Sequence, residues 1–575
     1  MVPSQPLLLV GVIAFCSSLV RGQECTTQLV SVSPEGAEGS GTSSTHRRAF
    51  SGDNRFVCFS SASANLVFND NNKATDVFLR DLQAGTTCLV GLSSSGVQGN
   101  AGSAGGGITG NGRFVVFGSA STNLVPGDTN NTNDVFLRDL LKETTTLISQ
   151  GLGDVPSNGK SNRSDISADG SVIAFRSIAS NLVADDTNNE WDVFVHEVKT
   201  GVTTRVSVDS MGNEANGLCN DPMLSADGRF VCFLSFATNL DGNFTLPWPR
   251  VYVHDRVTGV TEAIVRDLQG DKDNVSGQDP VISSSGRFVA FDSISSTLVP
   301  GDTNQTTDVF VYDRLDGTTV RASVSSTGVE GNNSSVYPTL SANGRFVAFR
   351  GAASNLVPGD TNNVSDIIVR DLVLNSTSRA SVSTAGIQTE VTCQDPTLSP
   401  DGRMVCFESA SWVLVPGPSN IYRDIFLHAC LTTGPETYCM AQTNSLGCVG
   451  AMSFSGVPSA SARSGFMVDA AAIRNNTIGT LIYGTGSPAM LPFQGGFLCV
   501  APPVHRTVPL QSGGSSSPTV DCSGVLRLDF NAYASSPHAK GLTPGTTVRA
   551  QYWSRDGGSP SGSNLTDAVL FTLRP

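Results

Sequence analysis

Residues 225–233 read Ser-Ala-Asp-Gly-Arg-Phe-Val-Cys-Phe, and residues 399–407 read Ser-Pro-Asp-Gly-Arg-Met-Val-Cys-Phe. The same core, or a close variant of it, recurs along the chain with its arginines at multiples of 58 residues. These arginines are Arg55, Arg113, Arg229, Arg287, Arg345 and Arg403, and the missing register is held by Ser171. A fixed period of this length indicates a repeat architecture, here with seven copies.

Each copy contains four segments with the pattern of β-strands. In one copy, residues 338–341 are mostly apolar, residues 342–344 suit a tight turn, and residues 345–350 alternate apolar and polar side chains. Residues 366–371 and 379–383 supply the third and fourth segments. Four strands per repeat without helical periodicity are typical of a propeller blade.

The fourth strand of the last copy is predicted at the other end of the chain. Residues 31–39 parallel residues 323–331, whereas the segment after the third strand of the seventh copy matches poorly. We therefore predict an all-β, seven-bladed β-propeller in which residues near 28–33 complete the last blade. Such closure protects the edges of the sheet.

The quoted segments at 225–233 and 399–407 resemble the WD40-like repeat of TolB-type β-propellers. The resemblance covers about residues 25–433 and implies the propeller fold. It leaves the activity open, because such repeats serve many functions. Two features differ: the repeat of 58 residues exceeds the usual blade of ~40–50 residues, and seven copies exceed the six blades of TolB.

The two ends of the chain are predicted to be separate from the propeller, which we place at residues 23–435. Residues 1–22 are predicted to be a signal peptide, because their apolar run is too short to span a bilayer. Residues 436–575 lose the period and are predicted to form a smaller β-sandwich-like domain.

Three strings in that second domain, residues 491–500, 521–524 and 551–556, resemble a C-terminal domain of exported bacterial proteins, notably from planctomycetes. The resemblance implies an extracellular setting.

Composition and charge limit the classes of molecule that the chain is expected to bind. The formal net charge of −14 argues against nucleic acid and anionic membranes. No segment after the signal peptide is long and apolar enough for a membrane span. Eleven Asn-x-Ser/Thr sequons, among them Asn130 and Asn304, fit a glycoprotein. We predict a secreted monomer whose partner is an extracellular protein or a glycan.

Five of the seven loops between the second and third strands contain the pattern Asp-x-Asn-x-x-x-Asp. The residues are Asp70, Asn72 and Asp76; Asp128, Asn130 and Asp134; Asp186, Asn188 and Asp192; Asp302, Asn304 and Asp308; and Asp360, Asn362 and Asp366. Alternating oxygen donors suit Ca²⁺, although the bidentate Glu of an EF-hand is missing. The same residues also suit Asx turns that cap backbone N–H groups. Both interpretations stay open, and no other cofactor is indicated.

Twelve cysteines remain after the predicted signal peptide is removed, an even number that suggests disulfides in an exported chain. Two pairs share one spacing and one register on either side of the turn between the first and second strands. They are Cys219–Cys232 and Cys393–Cys406. The further predicted pairs are Cys439–Cys448, Cys499–Cys522 and Cys25–Cys430. The last would join the two ends of the propeller and restrain the unfolded chain by about 5 kcal/mol in the chain-entropy model.

Motifs of catalysis are absent from the sequence: it has no His-Glu-x-x-His, Gly-x-Ser-x-Gly, P-loop or Cys-x-x-Cys pattern. The 2–3 and 4–1 connections are long and emerge on one face, which makes that face the candidate binding surface. We predict a non-enzymatic scaffold that binds a protein or glycan through this long-loop face and is stabilised by Ca²⁺ if the acidic loops bind it.

Two alternatives to the scaffold stay open. One is an extracellular hydrolase or lyase on a propeller scaffold, which a cluster of unrepeated polar residues around the central channel would favour. The other is an acidic extracellular matrix component, which the dispersed acidic loops would favour.

Overall fold

The computed structural model describes residues 24–573, with gaps at 243, 418–419, 432–435, 439–440, 443, 457, 486–487, 494–495, 517–518, 544–545 and 560–561. The predicted signal peptide, residues 1–22, lies outside the described residues.

The described residues between 24 and 431 form seven sheets of four antiparallel strands, and we number these sheets as blades. From first to fourth strand they are Ser43–Ser44, Phe56–Ser61, Asp76–Asp81 and Thr86–Leu89 in blade 1; Ser103–Ile108, Phe114–Ser119, Asp134–Asp139 and Thr144–Leu147 in blade 2; Ser161–Ile166, Val172–Ser177, Asp192–Glu197 and Val202–Arg205 in blade 3; Cys219–Leu224, Phe230–Ser235, Arg250–Asp255 and Val260–Ala263 in blade 4; Gln278–Ile282, Phe288–Ser293, Asp308–Asp313 and Thr318–Arg321 in blade 5; Ser335–Leu340, Phe346–Gly351, Asp366–Asp371 and Ser376–Arg379 in blade 6; and Gln394–Leu398, Met404–Ser409, Asp424–Leu431 and Glu24–Leu29 in blade 7.

Blade 7 is built from both ends of the propeller. Its fourth strand, Glu24–Leu29, pairs antiparallel with Asp424–Leu431, which is the closure that the sequence predicts. The fourth strands begin about three residues earlier than predicted, as in Ser376–Arg379. The following residues instead form a turn closed by the bridge between Val382 and Gln388.

Aromatic side chains on the second and third strands form the core of six blades. The ring pairs, with centroids 5.7–5.9 Å apart, are Phe59/Phe78, Phe117/Phe136, Phe175/Phe194, Phe233/Tyr252, Phe291/Phe310 and Phe407/Phe426. In blade 6 the aromatic Phe349 lies opposite Ile368. Burial of these rings and of the valines beside them accounts for the apolar period of the sequence.

The repeated arginine is structural. Arg113 donates from Nε and Nη2 to both carboxylate oxygens of Asp139 at 2.9 and 2.6 Å, which ties the start of the second strand to the end of the third. Its guanidinium also lies 4.6 Å from the centroid of the Phe114 ring. Blades 1, 4, 5 and 6 repeat the ion pair.

The cysteine positions differ in part from the prediction. Cys25 is bonded to Cys430, its direct partner in the register of blade 7. In contrast, Cys219 lies opposite Ser235 while Cys232 lies opposite Met223, so the strand register separates the two thiols. Both are free and buried.

The second predicted hairpin pair is corrected in the same way. Cys406 lies opposite Thr397 in blade 7, and both Cys393 and Cys406 are free and buried.

In the C-terminal region Cys448 is bonded to Cys522, which corrects the pairings Cys439–Cys448 and Cys499–Cys522. The physical reason is the sheet order: the strands that follow these two cysteines both flank Phe466–Ile473. Cys439 itself lies outside the described residues.

The remaining elements beyond the propeller strands are mostly short strands. They are a pair at Gln150–Gly151 and Val155–Pro156; a sheet of Glu436–Tyr438, Ser563–Thr572, Thr547–Arg555, Ile478–Gly484, His505–Arg506 and Leu510–Gln511; a sheet of Ala451–Gly456, Phe466–Ile473 and Gly524–Asp529; a pair at Pro488–Phe493 and Gly496–Val500; and one helix, Phe530–Ala534. Among the described residues, no helix has the length and apolar character needed to cross a membrane.

Candidate functional site

The first strand of six blades contains a β-bulge that turns one residue toward the propeller axis. The bulge residue occurs at the same register in each blade and has a positive φ. These residues are Gly105, Arg163, Asp221, Asp279, Tyr337 and Asp395, with φ of 43–75°. Five of the six carry a side chain in a conformation that favours glycine, at a cost of about 1–3 kcal/mol each. Backbone strain of this kind clusters at functional sites.

Blade 1 departs from this pattern. It inserts extra residues between its first-strand pairing at Ser44 and the bridge of Phe50 to Val57. The inserted segment carries His46, Arg47 and Arg48 into the same axial space.

The six bulges and the inserted segment of blade 1 line one chamber of about 700 Å³ on the axis. Its lining includes Thr45 of blade 1, Gly106 of blade 2, Asp165 of blade 3, Asn220 of blade 4 and Gln278 of blade 5. A volume of this size is within the range of pockets that bind small ligands.

The side chains of the chamber do not follow the repeat. At the bulge register they are Gly, Arg, Asp, Asp, Tyr and Asp. On the adjacent second strands, the residues at the register of Asp292 are Ser60, Gly118, Arg176, Leu234, Asp292, Arg350 and Glu408, of which Leu234 lines the chamber. The backbone therefore repeats while the chemistry changes from blade to blade. A cluster of unrepeated polar residues around the central channel is the feature that would favour the alternative of an extracellular hydrolase or lyase.

A pair of adjacent carboxyl groups lies in blade 5, next to Arg47 of blade 1. Asp279 is ion-paired with Arg47 and lies beside Asp292, which is only 4% exposed. Burial, followed by repulsion from Asp279, raises the pKa of Asp292. The Oδ1 of Asp292 is buried without a hydrogen-bond partner. The pair can hold one proton between two oxygens beside a fixed cation.

A second group of polar residues lies between blades 7 and 1. Glu408, almost fully buried, accepts from the Thr45 N–H at 2.9 Å and from Arg423 at 3.1 Å. Burial and then the Asp395 carboxylate raise the pKa of Glu408 to about 7. Burial also lowers the pKa of nearby His46 to about 4, so this imidazole is neutral at physiological pH.

The far end of the channel is narrowed by the turns between the first and second strands. Backbone N–H groups of Gly110, Ala168, Ala226, Ser284 and Ala342 each donate to the corresponding turn of the next blade at 2.8–3.0 Å, and the series ends on the Pro400 carbonyl. The same turns line a cavity of only about 80 Å³. The chamber is therefore approached from the long-loop face.

Exposed aromatic side chains mark the long-loop face. Among the described residues the large aromatics classed as exposed are Phe68, Phe236, Trp248, Tyr337, Trp412 and Tyr422. Tyr337 and Phe236 line the chamber itself, and the other four belong to loops between second and third strands.

The predicted metal-binding loops are built as Asx turns. In blade 2 the Asn130 Oδ1 accepts from the Thr132 N–H at 3.1 Å, while its Nδ2 donates to Asp134 at 2.7 Å. Asn188 and Asn304 make the same two bonds with their own loops. These amides turn nitrogen, not oxygen, toward the second Asp.

Arginines occupy the centre of three of these loops. Nη1 of Arg321 lies 3.3 Å from Asp302, 3.4 Å from Asp308 and 2.8 Å from Glu330. Arg205 and Arg379 repeat the arrangement in blades 3 and 6 with Asp186/Asp192 and Asp360/Asp366. In blade 1 the Gln98 amide donates to Asp70 at 2.8 Å and Asp76 at 3.1 Å instead, and Asn72 caps the Ala74 N–H.

The residues that repeat in every blade do not point to the chamber, because its lining residues differ between blades. A signal for them is present in the sequence: at a fixed register of a regular repeat, the side chains change charge and size from blade to blade. The bulge that turns them inward has no sequence signature of its own, since Asp, Arg and Tyr all occupy it.

Comparisons with known proteins add similarities of fold. No family model matches the chain, and no curated protein matches it. The chain is similar to an oligogalacturonate lyase solved with manganese, with 11% identity, a TM-score of 0.45, and coverage of 72% of this chain and 94% of that one. It is also similar to a putative TolB from Agrobacterium tumefaciens, with 13% identity, a TM-score of 0.32, and coverage of 61% and 97%. A third similar structure is the Cps50 (Swd1) propeller domain of Myceliophteria thermophila, with 10% identity, a TM-score of 0.36, and coverage of 71% and 100%. Similarity at this level carries no information about what the chain binds.

Proposed function

We propose that the chain is an exported β-propeller that binds a neutral glycan in its axial chamber, approached from the long-loop face. The observation that carries this proposal is the break of the repeat in the chamber: the blades share a backbone but present different polar side chains to one space. A surface with only a structural role has no need for such variety.

The charges of the chamber favour a neutral ligand. Arg47 pairs with Asp279, Arg163 with Asp221, and Arg48 lies 3.5 Å from Asp165. Because these charges are already paired inside the protein, a charged ligand would have to compete with them. Hydroxyl groups can instead bond to the remaining lone pairs and to the amides of Asn220 and Gln278.

Aromatic side chains supply the apolar contacts that we expect a glycan to make in the chamber. Tyr337 is 39% exposed and its ring is covered on one side by Arg350 at 4.7 Å. An amphipathic ring at the wall of a polar pocket offers an apolar surface to the C–H face of a sugar.

Export is supported by the bond between Cys25 and Cys430, since structural disulfides form in oxidising compartments.

Binding can be tested with an array of neutral oligosaccharides, followed by calorimetry on the strongest ligand. We expect Tyr337→Ala and Asp221→Asn to weaken binding at least tenfold. Tyr422→Ala is the matched control, because Tyr422 is 41% exposed on the same face but does not line the chamber. Equal losses in Tyr337→Ala and Tyr422→Ala would place the ligand on the outer loops instead.

A second candidate function, hydrolysis, is favoured by the pair of Asp279 and Asp292. Two hydrogen-bonded carboxyl groups that share one proton can activate a water molecule and protonate a leaving group. Adjacent carboxyl groups that share one proton do not match the ~5–9.5 Å separation of glycosidase carboxylates, so a peptide bond is the better substrate.

Hydrolysis can be tested with fluorogenic casein across pH. Asp292→Asn should abolish activity, and Asp316→Asn, at an exposed site of the same blade, should leave it unchanged. Activity should fall as pH rises through the raised pKa of the pair, because the shared proton is then lost. Retained activity in Asp292→Asn would exclude this role.

A further inference from the structure

Blade 2 differs from the other four acidic loops in what faces its carboxylates. The positions of Arg205, Arg321 and Arg379 correspond to Leu147 in blade 2, and the position of Glu214 corresponds to Pro156. Among the described residues, blade 2 thus places no arginine or glutamine between Asp128 and Asp134.

The carboxylates of blade 2 are nevertheless as buried as in the other blades. Asp128 is 6% exposed and Asp134 is fully buried. Asp134 accepts from Ser149 at 2.6 Å, from Ser157 at 2.9 Å and from Asn130 at 2.7 Å, all neutral donors. The Oδ1 of Asp128 is buried and has no hydrogen-bond partner.

Two buried carboxylates at close range normally require a counter-charge. The Asp134 carboxylate is near enough to Asp128 to act on it electrostatically. Blades 3, 5 and 6 supply this counter-charge with a guanidinium, whereas blade 1 has the neutral Gln98 amide, which donates to both of its carboxylates. Blade 2 has the same acidic loop, but Leu147 stands at the position of the arginine and supplies no charge.

We propose that blade 2 binds one Ca²⁺ at the position that a guanidinium occupies in blades 3, 5 and 6. Asp128 and Asp134 supply the charged oxygens, the Ser157 hydroxyl is within reach of the same space, and water completes the six to eight ligands that Ca²⁺ takes. The site is independent of any ligand in the axial chamber. Of the five loops considered in the sequence, only this one is assigned to metal.

The affinity should be that of a weak extracellular site. Two carboxylates and no bidentate Glu place the dissociation constant at about 10⁻⁴–10⁻³ M. Equilibrium dialysis of the full chain with ⁴⁵Ca²⁺ measures both affinity and stoichiometry, and we expect one ion per chain.

Reciprocal substitutions test the assignment. Leu147→Arg should supply the missing guanidinium and reduce the stoichiometry from one to none. Arg205→Leu should remove it from blade 3 and raise the stoichiometry from one to two. Asp128→Asn should weaken binding at least tenfold without an added side chain, which keeps the test valid if Leu147→Arg does not fold.

Three results would contradict the assignment of Ca²⁺ to blade 2. Absence of ⁴⁵Ca²⁺ binding by the unmodified chain at millimolar concentration would overturn the proposal. So would one bound ion that persists with unchanged affinity in both Leu147→Arg and Asp128→Asn. Binding of three or more ions to the unmodified chain would show that the arginine loops also take metal, and would overturn the assignment to blade 2 alone.

Discussion

At the scale of single residues, the side-chain amides of Asn130 and Asn304 are both committed to their own loops although both stand in glycosylation sequons. Asn130 Nδ2 donates to Asp134 and to the Ser157 carbonyl, and Asn304 Nδ2 donates to Asp308 and to the Gly331 carbonyl. A glycan on either nitrogen would remove these bonds and insert a sugar beside buried carboxylates.

We therefore expect Asn130 and Asn304 to stay unmodified when the chain is secreted from a eukaryotic host. Asn375 is the control, because it is exposed and its recorded bond, 2.9 Å from Arg370, uses Oδ1. Glycopeptide mapping distinguishes the three sites. Full occupancy at Asn130 would contradict the buried loop geometry.

The residue scale also shows where sequence reasoning stops. The glycine turn, the repeated arginine and the apolar strands could be predicted because each occurs in nearly every copy. The pairing of Asp279 with Asp292 could not, because it requires a bulge in the first strand and a neighbour on the second, and neither residue repeats. In the sequence, the chamber residues can therefore be recognised only as positions that depart from the repeat.

At the scale of elements, glycine is required in two kinds of turn for different reasons. Gly286 lies in the turn between the first and second strands of blade 5, and Gly328 lies in the connection from blade 5 to blade 6. Gly286 has a φ of 74°, and a Cβ added there would overlap the Phe230 ring of the preceding blade. Gly328 has a φ of 81° but no atom within 4 Å of an added Cβ. Comparing the two separates backbone strain from the packing between blades.

Gly286→Ala should destabilise the propeller by about 2–4 kcal/mol, the sum of strain and overpacking. Gly328→Ala should cost about 1 kcal/mol, since only strain applies. The shift of the urea midpoint, monitored by fluorescence, measures both. Equal shifts would mean that the Phe230 ring moves aside at little cost.

Element boundaries explain the mistaken cysteine pairs. The spacing of Cys219 and Cys232 is compatible with a hairpin, but the register set by the turn brings Met223 opposite Cys232 and Ser235 opposite Cys219. The spacing of two cysteines does not fix this register, because it does not say which residues the turn pairs. The pairing of Cys25 with Cys430 was accessible because ring closure itself fixes that register.

At the scale of the whole molecule, many buried carboxyl groups favour mildly acidic conditions. Burial raises the pKa of Asp76 and Asp192 to about 6 and that of Glu408 to about 7. Each group holds its proton in the fold at a pH at which the unfolded chain has lost it. The stability that these groups contribute is present at low pH and is lost as pH rises through their folded pKa values.

We therefore expect the Tm to be higher at pH 5 than at pH 8, with a decline on the acid side below about pH 4. The acid decline follows from groups such as Asp139, whose pKa the Arg113 hydrogen bond lowers to about 2. Thermal unfolding followed by circular dichroism from pH 3 to 9 measures the curve. Glu408→Gln should flatten the slope between pH 6 and 8, and a Tm that rises over that interval would contradict the expectation.

The belt of turn-to-turn hydrogen bonds around the far end of the channel has a start and an end. Its last acceptor is Pro400, which has no N–H to pass the series on to blade 1. The junction of blades 7 and 1 is instead joined by the Ser43 N–H donating to the Arg423 carbonyl and by the Thr45 N–H donating to Glu408.

This junction lacks the turn-to-turn bond, and it borders the chamber. A molecule held against Thr45 and Asp395 would clamp the two blades together, so occupancy of the chamber and closure of the ring should reinforce each other.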